Sequence, residues 1–207
     1  FGDDPTVARL EELAAGMLGK EAGMFVPSGT QSNLCAMLAH CGRGDEYIVG
    51  QTAHTYLFEG GGAAVLGGIQ PQPLDQEPDG TLSLEKVEAL VKPDDFHYAR
   101  TRLLCLENTT WGKVLPTSYL DQVGNFAKSL GLLLHLDGAR IFNAAVASGE
   151  SASSIAGPFE SVSVCLSKGL GAPVGSVLVA SKSFIKEAKR WRKMLGGGMR
   201  QSGILAA

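Results

Sequence analysis

Four short stretches of this 207-residue chain are apolar almost without interruption: Leu103-Leu-Cys-Leu106, Leu132-Leu-Leu-His-Leu136, Ser161-Val-Ser-Val-Cys-Leu166 and Ser176-Val-Leu-Val-Ala180. Runs this short and this apolar belong to strands covered on both faces, so the chain has to supply helices to cover them. It does. Pro5 opens a helical pattern with Val7, Leu10, Leu13, Ala14 and Met17 on one face, stopped by Gly19. Ser83 caps a second pattern through Val87, Leu90 and Val91. Ser118-x-x-Asp121 resembles a capping box ahead of Leu120, Val123, Phe126, Ala127 and Leu130, with Gly131 as the stop. A last helix is expected over about 183–194, and another over 34–40 after a turn at 28–33. Gly23-Met-Phe-Val26, Tyr47-Ile-Val49 and Ala64-Val-Leu66 are further short strand candidates. Alternation of this kind predicts an α/β fold, a mainly parallel sheet flanked by helices, in one large domain.

Composition narrows the function classes. The net charge of −3 gives no electrostatic reason to expect a nucleic-acid partner. No apolar stretch is long enough to span a bilayer, so no membrane role is expected. Cys35, Cys41, Cys105 and Cys165 lie in or beside apolar runs, with no C-x-x-C and no histidine at ligand spacing. They are expected to be buried thiols in a reducing, cytoplasmic compartment, and no metal site is expected. The 27 glycines gather at the ends of apolar runs and suggest tight turns rather than disorder.

The chemistry-bearing residues stand at those run ends. Lys168 follows one apolar run, among small residues, where burial would strip its hydration and free a neutral, nucleophilic amine. Asp137 ends another, followed by Gly138, Ala139 and Arg140. In parallel sheets ligands gather at the carboxyl ends of strands. An anion and an amine placed there suit pyridoxal phosphate, which needs a partner for its pyridinium nitrogen and an amine for its aldehyde. Ser28, Gly29 and Thr30 join a strand to a helix, where amides and hydroxyls suit a phosphate but an ordinary capped helix start would look the same. His54 could stack on a ring or accept a proton, or could be a hydrogen-bonded loop residue. Six basic residues within 182–193, among Phe184, Ile185 and Trp191, read as an amphipathic helix with a solvated or subunit-facing side.

Five segments taken together, Pro27-Ser-Gly-Thr-Gln-Ser-Asn33, Glu107-Asn-Thr109, His135-Leu-Asp-Gly-Ala-Arg140, Leu166-Ser-Lys-Gly-Leu-Gly-Ala-Pro-Val-Gly175 and Gly196-Gly-Gly-Met-Arg-Gln-Ser-Gly203, resemble the low-specificity L-threonine aldolases. These belong to the β-eliminating lyase group of fold type I pyridoxal phosphate enzymes. The resemblance implies a pyridoxal 5'-phosphate lyase that cleaves the Cα–Cβ bond of β-hydroxy-α-amino acids, converting threonine or allo-threonine to glycine and acetaldehyde. It implies Lys168 as the imine-forming lysine and Asp137 as the partner of the ring nitrogen. Arg140 would lie beside the phenolate oxygen and the substrate carboxylate, Gly29 and Thr30 would hold the phosphate with Ser28 beside them, and His54 would stack on the ring and assist the hydroxyl proton. Arg200 would reach the phosphate of a neighbouring subunit, so a homodimer or homotetramer with shared active sites is expected.

Two departures bear on the substrate. The family continues Glu-Asn-Thr with a histidine that approaches the substrate hydroxyl, whereas Thr110 and Trp111 follow here. Family members are also longer, so residues 1–207 are expected to be the cofactor-binding large domain of a longer protein, without the small carboxyl-terminal domain. The alternatives are another reaction on the same scaffold (β-elimination, racemisation or phenylserine cleavage), or an impaired homologue serving as an oligomerisation or cofactor-binding module.

Overall fold

A computed structural model describes residues 2–207. Seven strands form one sheet: β1 (Ala22–Val26), β2 (Asp45–Gly50), β3 (Gln70–Leu74), β4 (Arg100–Glu107), β5 (Leu133–Asp137), β6 (Ser161–Cys165) and β7 (Ser176–Ala180). Their spatial order is β1-β7-β6-β5-β4-β2-β3. All neighbours are parallel except β7, which runs antiparallel to both β6 and β1. Helices cover both faces, as the apolar runs required. On one side lie α1 (Pro5–Met17), α6 (Thr117–Leu130), α7 (Ile141–Ser148) and α8 (Ala152–Ala156), meeting Leu104, Leu106, Val162 and Val177. On the other, α2 (Gly29–His40) and α9 (Lys182–Met194) pack on Met24, Val26, Leu178 and Ala180. Adjacent residues of a strand face opposite layers, so Leu103 and Cys105 pack in a different cluster from Leu104 and Leu106. Each fully buried leucine among them contributes about 1.5–3 kcal/mol of transfer free energy. All four cysteines are buried and free, in line with the sequence reading.

The structure corrects four local expectations. Ala64-Val-Leu66 is helical, inside α4 (Gly62–Gly67), between Gly61 and Gly68 in left-handed conformations; three apolar residues carry no period that separates helix from strand. The strand beside it is β3, whose sequence, QPQPL, disguises it. Pro71 and Pro73 are tolerated because β3 is an edge strand, and at a spacing of two both missing N–H groups face away from β2. Helix α6 begins one residue before Ser118, with Pro116 at its cap and no side-chain cap bond. In α1, Leu13 and Met17 are exposed, while Ala14 and Ala15 are buried. The remaining helices are α3 (His54–Leu57), α5 (Leu84–Leu90) and α10 (Gly203–Ala206). Among the described residues no helix is long and apolar enough to cross a membrane.

Candidate active site

One face of β5 and β6 departs from the apolar rule. His135 pairs in register with Ser161, and Asp137 with Ser163, so these four side chains share a face. Helix α2 lies over them and presents Ser32, Asn33 and His40, all buried, at spacings that place them on one side of the helix. The result is a buried polar seam. Ser32 Oγ lies 2.7 Å from Ser163 Oγ, Asn33 Oδ1 3.1 Å from His135 Nε2, and Ser161 Oγ 2.8 Å from His135 Nδ1 and 2.7 Å from His40 Nε2. Burial pulls His135 down to about 4 and His40 to about 3, so both rings are neutral around pH 7.

The seam opens at the carboxyl end of β5. Asp137 is 4% exposed, and its carboxylate accepts from Asn33 Nδ2 (2.9 Å) and from the Ala139 amide (3.0 Å). Asn33 Nδ2 also donates to Glu59 Oε1 (2.7 Å), which lies 2.9 Å from His54 Nδ1. The His54 amide in turn donates to Glu107 Oε2 (2.7 Å) at the end of β4. Burial raises Glu59 to about 7, against the hydrogen bonds from Asn33 and His54 and with repulsion from Asp137 adding to the rise. Burial likewise raises Glu107, where Asp137 acts in the same sense while His54 and Lys168 oppose it. Asp137, Glu107, His54 and Lys168 therefore share one electrostatic neighbourhood. His54, Glu59 and Asp137 bring possible metal-ligand atoms within 4.8 Å of one another, yet N–H donors from Asn33 and His54 already serve these acceptors.

Around this centre Lys168, the turn at 28–30 and Arg140 form a rim. Lys168 sits in the hairpin between β6 and β7, closed by the Leu166 amide to Gly175 (3.0 Å) and the Gly171 amide to the Lys168 carbonyl (3.0 Å). The hairpin needs Gly175: its φ is +101°, and a Cβ there would strike the Phe25 ring. Lys168 is exposed, contrary to the desolvated amine expected from its small neighbours; the apolar run stops at Cys165 and the lysine rides on a surface turn. Ser28 caps α2, its hydroxyl accepting from the Gln31 amide (3.2 Å). Gly29 approaches β6 so closely that a Cβ would lie 2.7 Å from Cys165 Sγ, and Thr30 follows in the first turn, whose leading amides have no intrahelical partners. Arg140, exposed, stands at the start of α7; it and Lys168 both oppose the burial-driven rise of Cys165. Residues 196–198 run past α2, Gly197 abutting Gln31, and lead to the exposed Arg200.

Sequence reasoning took Asn33 and His135 only as motif letters, and missed Glu59 altogether. A lone histidine in an apolar strand is the signal that could have found the seam. The Thr110 departure also gains a location. Thr110 is buried, its hydroxyl accepting from Gln76 Nε2 (3.1 Å). Trp111 is exposed, donates to the Thr52 carbonyl (3.1 Å) and meets Phe58 edge-on, and Phe58 lies against His54.

Comparison with known proteins agrees with this geometry. The low-specificity L-threonine aldolase of Escherichia coli K12 is 62% identical over 207 residues, covering all of this chain and 62% of the relative. The enzyme of the same name from Saccharomyces cerevisiae is 43% identical over 209 residues, covering 54% of its length. The chain thus spans between half and two thirds of these relatives. A solved threonine aldolase structure from Leishmania major superposes with a TM-score of 0.88 at 25% identity, over 99% of this chain and 61% of that one. The beta-eliminating lyase family model matches residues 1–207. The chain, with its mostly parallel seven-stranded sheet and its polar seam ending on Asp137, belongs to the beta-eliminating lyase family.

Proposed function

We propose that this chain is the cofactor-binding part of a pyridoxal 5'-phosphate lyase that cleaves β-hydroxy-α-amino acids, threonine and allo-threonine among them, to glycine and an aldehyde. The observation that carries the reading is the Asp137 carboxylate, buried, held by two N–H donors and lying at the carboxyl end of a parallel strand in the same electrostatic neighbourhood as Lys168. The residues present fit that cofactor. Asp137 offers an acceptor to the ring nitrogen, and Lys168 offers an accessible amine as anchor. The Ser28 cap, Gly29 and Thr30 offer amides and a hydroxyl to the phosphate. When bound, the cofactor supplies an electron sink for the carbanion left by bond cleavage.

The chain's own residues do the rest. His54 turns Nδ1 to Glu59, which leaves Nε2 to stack beside the ring and take the β-hydroxyl proton whose removal lets the Cα–Cβ bond break. Arg140 binds the substrate carboxylate from the rim. Phe58 and Trp111 form an aromatic wall next to His54 and narrow the space for the aldehyde side chain. Arg200 completes a neighbouring subunit's phosphate site, in a homodimer or homotetramer; exposed Val146, Phe96 and Ile204 supply apolar surface for such contacts. The four buried thiols accord with a cytoplasmic protein.

The test is direct. The protein carrying this chain is expected to be yellow, to retain its cofactor on Lys168 after borohydride reduction, and to release acetaldehyde from L-threonine. A colourless protein that takes up no pyridoxal phosphate would sink the scheme. The burial of Thr110, where the family places a histidine, favours a second reading: a yellow protein that yields no aldehyde from threonine, allo-threonine or phenylserine runs another reaction on the same scaffold or is catalytically impaired.

A further inference from the structure

The seam beneath Asp137 has a direction. Asn33 Nδ2 faces two carboxylates, Asp137 Oδ2 at 2.9 Å and Glu59 Oε1 at 2.7 Å. Turned the other way, the amide would set its carbonyl against the Asp137 oxygen in a buried site, an unpaired contact between acceptors. The NH2 group therefore faces the carboxylates and Oδ1 faces His135, 3.1 Å from Nε2. His135 must then carry its proton on Nε2. Its Nδ1 becomes an acceptor, so Ser161 Oγ, 2.8 Å away, donates to it. Ser161 Oγ is left to accept, and His40 Nε2, 2.7 Å away, must be the donor. One orientation at Asn33 sets every proton along the chain.

We propose that Asn33 is the positioning residue for Asp137: its amide holds the carboxylate as an oriented acceptor, and is itself fixed by a one-way hydrogen-bond chain from His40 through Ser161 and His135. Every member of the chain is buried, so water does not supply substitute partners. Both rings stay neutral through burial, which permits one donor and one acceptor nitrogen on each. Asn33 also stands between Asp137 and Glu59, giving each a separate N–H. Asp137 thereby presents an acceptor to whatever donor arrives at the strand end. The role toward the cofactor nitrogen rests on the proposed function; the orientation of the chain does not.

The experiment has two arms. In the cofactor-free protein at neutral pH, long-range ¹H–¹⁵N spectra assign the tautomers of the four histidines by single replacement. His135 and His40 are both expected as Nε2–H. An Nδ1–H form at His135 means the chain runs the other way and overturns the proposal. In the loaded protein, Asn33→Asp keeps the shape and removes both donors. Loss of a hydrogen bond to a charged group corresponds to about 10- to 100-fold. Cofactor affinity is expected to fall by that factor, and kcat to fall with KM for the amino acid held within about threefold. Unchanged cofactor affinity also overturns it. Should the variant fail to fold, the tautomers of the unsubstituted protein still decide. Should the protein bind no pyridoxal phosphate, the proposed function fails and the first arm still reads the orientation.

Discussion

The two halves of the candidate site are built by different means. Asp137, Asn33, Glu59 and His135 are buried or nearly so and tied to one another by hydrogen bonds within α2, β5 and the α3–α4 connection. Lys168 and Arg140 are exposed on a turn and a helix start beside them, and Arg200 is exposed beyond α9. The buried half is a product of folding, since unpaired carboxyl and imidazole groups would be too costly in the interior. The rim costs the fold little and gains its purpose from what it binds. Substitutions in the first half should therefore disturb stability and function together, and substitutions in the second should separate them.

The largest effect expected is on the rim. Lys168→Ala should remove covalent retention of the cofactor and lower turnover by roughly 10³-fold or more, the scale on which loss of a covalent group acts. Its unfolding free energy should stay within about 0.5 kcal/mol of the parent. Borohydride trapping followed by peptide mass mapping, together with urea melts, checks both; a folding defect would break the contrast. Beneath the site, Leu136→Ala removes a fully buried side chain from β5 and should cost about 2–5 kcal/mol by urea unfolding. Asp137→Ala should act on both axes, lowering turnover and leaving an Asn33 N–H unpaired at about 1–3 kcal/mol.

The pH dependence of stability sharpens the comparison further. Glu59 rises from 4.5 to about 7 on folding, so the native state holds the extra proton in that window. Its stabilisation is present below pH 4.5 and is lost as pH rises through about 7. His135 and His40 act oppositely: lowered from 6.5 to about 4 and about 3, they bind fewer protons folded than unfolded, and stability is lost as pH falls below 6.5. Between pH 4.5 and 6.5 the contributions oppose each other. Glu59→Gln should therefore steepen the loss of stability on acidification, read from urea midpoints at several pH values. A parallel shift with no change of slope would remove Glu59 from the titrating set. The smallest effect belongs to Arg140→Ala, where stability should change by less than about 0.5 kcal/mol while substrate KM rises.

How much of this was legible beforehand follows the same division. Lys168, Asp137, Arg140 and the turn at 28–30 stand in motifs at run ends, where a local pattern announces a strand-to-loop boundary. Glu59 stands in no such pattern; it enters the site only because the chain between β2 and β3 folds back toward Asn33, 26 residues earlier. Edge strand β3 was hidden by its prolines, and α4 by an apolar triplet that either period accommodates.

The sequence by itself determined the architecture: doubly apolar runs demand a sheet covered on two faces, and their ends name the residues that meet at its rim. Family membership was also readable there, because five motifs in order are a one-dimensional signature. Only the tertiary structure decided that Lys168 is exposed rather than desolvated, that Thr110 is buried against Gln76, and that Asp137 is held by Asn33. Burial and hydrogen-bond direction depend on which distant segments pack together. His135 reads as an apolar-strand residue until α2 brings Asn33 to it across 102 positions, and that contact turns a strand filler into part of the site.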